Sequence, residues 1–246
     1  MRSPEEWKPT KFEYKGGRLV ASRNPKEVGI GSRMVADVAA HYYDNHLGKH
    51  ARGKLLDLGC GKAPLYEAYR NFVTESICVD WASSLHKNPH LDVEADLTKP
   101  LPFRDEEFDT IILSDVLEHI PVPEQLWREM ARILASRGKI IVNVPFFYWI
   151  HEAPHDYYRF TEYALRRFVA LSGLDLLELE PMGGAPEIMV DFFAKNIMRV
   201  PKLGWPIACA AQWVASGVMK TDFMKGVSRA TSGNFPLGYF LIAQKA

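Results

Sequence analysis

The run Lys54-Leu55-Leu56-Asp57-Leu58-Gly59-Cys60-Gly61-Lys62-Ala63-Pro64 places a short apolar strand, Lys54 to Leu58, directly before a pair of closely spaced glycines. A short apolar run that ends in glycine reads as a strand of a parallel sheet covered on both faces. Glycine accepts positive φ and carries no Cβ, so a turn built on Gly59 and Gly61 lets a nucleoside or amino-acid moiety lie against the backbone.

Outward from this turn, apolar runs alternate with helical periods. The expected strands are Lys54 to Leu58, Ser76 to Asp80, Leu91 to Glu94, Asp109 to Ser114, Lys139 to Asn143, Asp175 to Leu179 and Tyr239 to Gln244. Such alternation implies βαβ units. The expected fold is therefore α/β, a Rossmann-like seven-stranded mostly parallel sheet with helices on both faces and an antiparallel last strand. Between the fourth and fifth strands, Leu126, Met130, Ile133 and Leu134 fall on one helical face, with Pro123 as the start and Gly138 as the stop. A second helix is predicted from the Thr161 cap to Leu171, with Leu165, Phe168 and Val169 inward and Gly173 as its stop. Before Lys54, the stripe Met34, Val35, Val38 and Ala39 predicts a helical extension.

A dinucleotide fold also begins with a strand and a glycine turn, but its third glycine would fall at Pro64. The spacing Asp57-x-Gly59-x-Gly61 instead resembles the first motif of class I S-adenosylmethionine methyltransferases, with Ala63 where the family usually has a third glycine. Downstream, Ile77-Cys78-Val79-Asp80-Trp81 puts a carboxylate at a strand end, where it can accept both hydroxyls of a ribose. Glu94-Ala95-Asp96-Leu97 resembles the adenine motif of the same family. Pro100-Leu101-Pro102-Phe103, Glu107-Phe108-Asp109 and Asp115-Val116-Leu117-Glu118-His119-Ile120 resemble the type 11 methyltransferase group. The resemblance covers roughly Lys54 to Asn143. It implies S-adenosylmethionine as donor, S-adenosylhomocysteine as product, and Asp57, Gly59, Gly61, Asp80, Trp81, Asp96, Leu97 and Ser114 as donor-binding residues. One domain is then expected, with 1–53 an N-terminal extension, 54–183 the donor-binding core, 184–233 a helical insertion or lid before the last strand, and 234–246 that strand.

A sulfonium is already an activated methyl donor, so positioning supplies much of the acceleration and a general base is needed only for some acceptors. Two histidines are candidates for that base. His119 either serves the chemistry or packs at a helix start. The loop His151-Glu152-Ala153-Pro154-His155-Asp156-Tyr157-Tyr158-Arg159-Phe160 lies where open α/β sheets put acceptor chemistry. Its His155-to-Thr161 run resembles a segment of type 11 enzymes that modify sugars or secondary metabolites. His155 is the expected base, with His151, Tyr157, Tyr158 and Arg159 holding the acceptor; the alternative is that Asp156 and Arg159 brace the loop and the tyrosines cap the sheet. No carboxylate cluster has metal-ligand spacing, so no metal is expected.

Bulk properties narrow the partners. Lysine plus arginine and aspartate plus glutamate number 30 each, which offers no general attraction to nucleic acid. Three scattered cysteines make no disulfide framework, and the charged N-terminus shows no signal peptide, so a cytoplasmic protein is expected. Between Lys202 and Lys220 no residue is charged, yet Pro206, Gln212 and Gly217 interrupt the run and it is too short to span a bilayer. A buried or lid helix is expected there, with homodimer contact or peripheral membrane contact through 203–219 as alternatives. The expected activity is methylation of a small-molecule acceptor, by O-methylation of a sugar or secondary metabolite. The alternatives are C-methylation of a quinone or lipid precursor, or a catalytically silent donor-binding scaffold.

Overall fold

A computed structural model describes residues 1–81 and 88–246. The strands are β1 (Phe12–Lys15), β2 (Arg18–Ala21), β3 (Lys54–Leu58), β4 (Glu75–Asp80), β5 (Val93–Glu94), β6 (Phe108–Ser114), β7 (Leu134–Pro145), β8 (Leu174–Met182) and β9 (Gly238–Lys245). The helices are α1 (Arg33–His50), α2 (Tyr66–Tyr69), α3 (Pro123–Ile133), α4 (Glu162–Leu171), α5 (Ala185–Ile197), α6 (Gly204–Val218) and α7 (Asp222–Ser232). Seven strands form one sheet in the order β5-β4-β3-β6-β7-β9-β8. The neighbours β5, β4, β3, β6 and β7 run parallel, and the final strand is antiparallel. This is a Rossmann-like sheet, and it matches the expected strand set closely.

Two compact units divide the chain. The first comprises residues 1–8, 45–180 and 239–246, and the second comprises 9–44 and 181–238. The first unit buries Leu56, Leu58, Phe108, Ile111, Trp127, Met130, Ile140 and Leu241 in one core. α3 contributes Leu126, Trp127, Met130 and Ile133 to it from a single face. Thr161 caps α4 by accepting from the Ala164 N–H, and Gly173 follows at φ 67°, as the cap and stop residues predict. In the second unit, Ile30, Ala194 and Ala208 pack together.

Two expectations need correction. α3 stops at Ile133, and Leu134 is already strand, paired with Phe108. The register then jumps so that Thr110 faces Lys139, which leaves residues 135–138 as a bulge with Arg137 at φ 59°. Gly138 serves this bulge: a Cβ there would lie 2.8 Å from the Ala135 carbonyl oxygen. The N-terminal extension is also not wholly helical. β1 and β2 form a hairpin across Gly16 and Gly17, both at positive φ, the glycine pair that a tight two-residue hairpin turn demands.

Among the described residues no helix is long and apolar enough to cross a membrane. α6 buries Ala208 but leaves its larger apolar side chains exposed. Gln212 is 5% exposed whereas Trp213 is 78% and Trp205 59% exposed, so this helix turns its polar residue inward and its tryptophans to solvent.

Candidate functional site

Parallel strands present their C-terminal ends at one edge, and the glycine turn leaves β3 there, between β4 and β6. Gly59 and Gly61 take φ of 75° and 50°. A Cβ on Gly59 would also lie 2.5 Å from Val116 Cγ2, so this position excludes every larger residue twice over. Ala63 adopts φ 50° despite its methyl group, is fully buried, and its carbonyl accepts from Trp7 Nε1 at 3.1 Å. The turn is held from β4: the Gly59 and Cys60 N–H groups donate to the Val79 carbonyl at 2.8 and 2.9 Å, and Gly61 N–H donates to Asp80 Oδ2 at 3.0 Å. Asp80 Oδ1 accepts from the Trp81 N–H at 2.8 Å. The carboxylate therefore stands across the mouth of the turn.

Asp57 lies behind it, buried, with the Tyr69 hydroxyl donating to Oδ2 at 3.2 Å. Burial pushes its carboxyl from 3.8 up to about 7, against the pull of the Tyr69 bond. Asp96 follows β5 and is exposed; its Oδ1 accepts from the Thr98 hydroxyl at 2.7 Å and the Thr98 N–H at 3.0 Å. These bonds hold the carboxyl below its usual value. Leu97 beside it is buried. Ser114 ends β6, and Asp115 after it turns at φ 53°, with its Oδ1 accepting from Asn143 Nδ2 at 2.7 Å.

The loop after β7 folds back onto this edge. Tyr157 and Tyr158 N–H groups both donate to the Glu118 carbonyl, and the Tyr158 hydroxyl donates to the Pro121 carbonyl at 2.8 Å. The His155 ring stands edge-on to Trp81 at 5.3 Å between centroids, and its Nδ1 is 3.3 Å from the Tyr157 hydroxyl. His119 and His151 rings meet at 4.7 Å. Trp81 and the three histidines thus share one end of the sheet.

Arg159 spends its guanidinium within the loop. Its five N–H groups reach Tyr148 O, Tyr158 O, Trp149 O and both oxygens of Asp156, the last at 2.6 and 2.8 Å. The fork drives the Asp156 carboxyl far below its ordinary range. This is the bracing arrangement that the sequence left open beside acceptor binding. Glu118 was not singled out from sequence. Its carboxyl is fully buried and pushed well above the usual carboxylate range by desolvation and then by the neighbouring Asp115 charge. The Leu117–His119 motif was visible, but nothing in its spacing showed that His151 would join it. A separate cleft, lined by Lys54, Leu101, Phe103 and Glu107, lies by the opposite, N-terminal ends of β3 and β6 and takes no part in this site.

Residues 56–142 match the family described as Methyltransferase domain. Over 93 residues, 37% of this chain and 40% of the relative, the sequence is 37% identical to an uncharacterised protein of Methanocaldococcus jannaschii. Over 94 residues, 36% of this chain and 40% of the relative, it is 27% identical to a demethylmenaquinone methyltransferase of Renibacterium salmoninarum. The chain thus spans about two fifths of the length of these relatives. Among solved structures, an S-adenosylmethionine-dependent methyltransferase from Mesorhizobium loti is similar in fold, with a TM-score of 0.55 and 13% identity over 86% of this chain and 100% of that one.

Proposed function

We propose, from the premise that this chain carries a class I S-adenosylmethionine methyltransferase domain, that it moves a methyl group from S-adenosylmethionine to a small-molecule acceptor. The favoured reaction is O-methylation of a sugar or secondary metabolite. The observation that carries the reading is Asp80 held across the glycine turn by the Gly61 N–H, a carboxylate beside a backbone that tolerates close approach. These residues fit an adenosyl amino acid. Asp80 would accept from the ribose hydroxyls, Trp81 would flank the adenosine, and Asp96 with the Leu97 amide would read the adenine edge. Gly59, Gly61 and Ser114 would border the methionine portion, while Asp57 supports the turn from behind as a positioning residue.

When bound, the donor supplies an activated methyl on its sulfonium, so the chain's own contribution is orientation and exclusion of water. His155, exposed beside Trp81, is the proposed base for a hydroxyl acceptor, with Tyr157, Tyr158, His119 and His151 around it. Arg159 acts through the loop it braces. The buried free thiols of Cys60 and Cys78 accord with a reducing cytoplasm.

Calorimetric titration with S-adenosylhomocysteine tests the donor half. Wild type should bind, and Asp80→Ala should weaken binding at least about tenfold, a loss of two charge-assisted hydrogen bonds. Unchanged affinity would remove Asp80 from the ribose role, and a wild-type chain that ignores the ligand at millimolar levels would defeat the reading. For the acceptor half, His155→Ala should lower turnover about a hundredfold or more, the usual worth of a general base, with donor affinity kept. A full-rate variant would discard His155.

The outward apolar face of α6 favours a second reading, in which the acceptor is a quinone or lipid precursor met at a membrane surface. Donor binding without turnover over a broad acceptor panel would instead favour the silent scaffold.

A further inference from the structure

Glu118 lies in the short helical turn Leu117–His119 with its carboxylate buried, and neither oxygen has a hydrogen-bond partner. Two ring nitrogens face it. Nε2 of His119 and Nε2 of His151 each stand 3.7 Å from Glu118 Oε1, too far for a hydrogen bond. The other nitrogen of each ring is already committed: His119 Nδ1 is 2.7 Å from the His155 carbonyl oxygen, and His151 Nδ1 is 3.3 Å from the Trp149 carbonyl oxygen and 3.3 Å from Asp156 Oδ2. Carbonyl and carboxylate oxygens only accept, so in the neutral form of each ring Nδ1 carries the proton and Nε2 presents a lone pair.

Three potential ligand atoms therefore converge within 4.8 Å of one another. A carboxyl buried there without a hydrogen-bond partner is stable either with a proton of its own or with a cation that replaces that proton and completes the set. Ligands about 2.1 Å from a tetrahedral ion stand about 3.4 Å apart, so each 3.7 Å separation between Glu118 Oε1 and a histidine Nε2 needs to shorten by only a few tenths of an ångström. The Nδ1 bonds to His155 and Asp156 are the outer contacts that orient imidazole ligands.

We propose that Glu118, His119 and His151 form a site for one divalent transition-metal ion of the zinc class, with a coordination position left for an oxygen of the methyl acceptor. The last clause rests on the methyltransferase reading; the ion site does not. A second group, His46, His50 and Glu178, serves as an internal contrast. There the histidine nitrogens stand 2.9 and 3.2 Å from Glu178 oxygens, and the Lys139 ammonium, 3.1 Å from His50 Nδ1, opposes a further cation.

The test uses the full chain stripped with a chelator and titrated with cobalt(II), read by visible absorption and by metal content. One equivalent should bind with a four- or five-coordinate spectrum, and zinc should displace it. Glu118→Gln and His151→Ala should each weaken binding by more than about tenfold, already the cost of losing an outer contact of such a site, whereas His46→Ala should leave it intact. If the Glu118 variant fails to fold, His151→Ala, on the partly exposed loop, carries the same comparison. Absence of saturable binding by wild type, or a spectrum that survives both ligand substitutions, overturns the proposal. Calorimetry with S-adenosylhomocysteine on the same preparations separates this failure from that of the methyltransferase reading.

Discussion

Asp57 sits one residue before the end of β3, and its side chain has the Tyr69 hydroxyl as a donor to set against complete burial. Desolvation raises the folded carboxyl from 3.8 to about 7, so the native state holds its proton more tightly than the unfolded chain does. The resulting preference for the folded state is complete below about pH 4 and is lost as pH climbs to about 7. Asp57→Asn keeps an acceptor for Tyr69 and removes this dependence. Relative to wild type, the variant should therefore gain stability between pH 4 and 8, with an upper limit of roughly 4 kcal/mol from the linkage constant. Urea denaturation of both chains at the two pH values reads it directly. An equal difference at pH 4 and pH 8 would show that Asp57 ionises normally in the fold. Ala63 makes a related point about single residues: it holds a left-handed φ of 50°, a conformation that glycine adopts more readily.

At the level of elements, legibility followed the strength of local pattern. The apolar runs at β3, β4 and β6 could be read because strands buried on both faces need continuous hydrophobicity, and the Thr161 cap and Gly173 stop could be read because helix ends have specific chemistry. Gly138 was a true signal with two physical explanations, and the choice between a helix stop and a strand bulge depended on the pairing of Leu134 with Phe108, which is a long-range fact. The β1–β2 hairpin was marked by Gly16-Gly17 and went unread. At the site, the glycine turn and the strand-end carboxylates were local and visible. The meeting of His119 with His151, the fork of Arg159 on Asp156 and the isolation of Glu118 are products of a loop folding back, and only coordinates reveal them.

For the molecule as a whole, neutral net charge conceals a local asymmetry in the second unit. α6 presents Trp205, Ile207, Trp213, Val214 and Val218 to solvent without one charged residue, and Phe192 of α5 and Phe223 of α7 are exposed as well. In the same stretch, 198–232, Arg199, Lys202, Lys220, Lys225 and Arg229 are exposed, and Asp222 is the exposed acid among the described residues there. Tryptophans set among basic side chains suit an anionic lipid surface, where buried apolar area and about 1 kcal/mol per basic residue add together. Vesicles containing phosphatidylserine should therefore pull the chain down in a sedimentation assay, more weakly at high salt, and phosphatidylcholine vesicles should do so less. Trp205→Asp with Trp213→Asp should cut binding by at least about a hundredfold, since burying one large apolar side chain contributes on the order of 1.5–3 kcal/mol. A second copy of the chain is the competing occupant. If sedimentation equilibrium shows a dimer that the two substitutions dissolve, while vesicles bind neither chain, the face is a protein interface and the membrane reading of α6 falls.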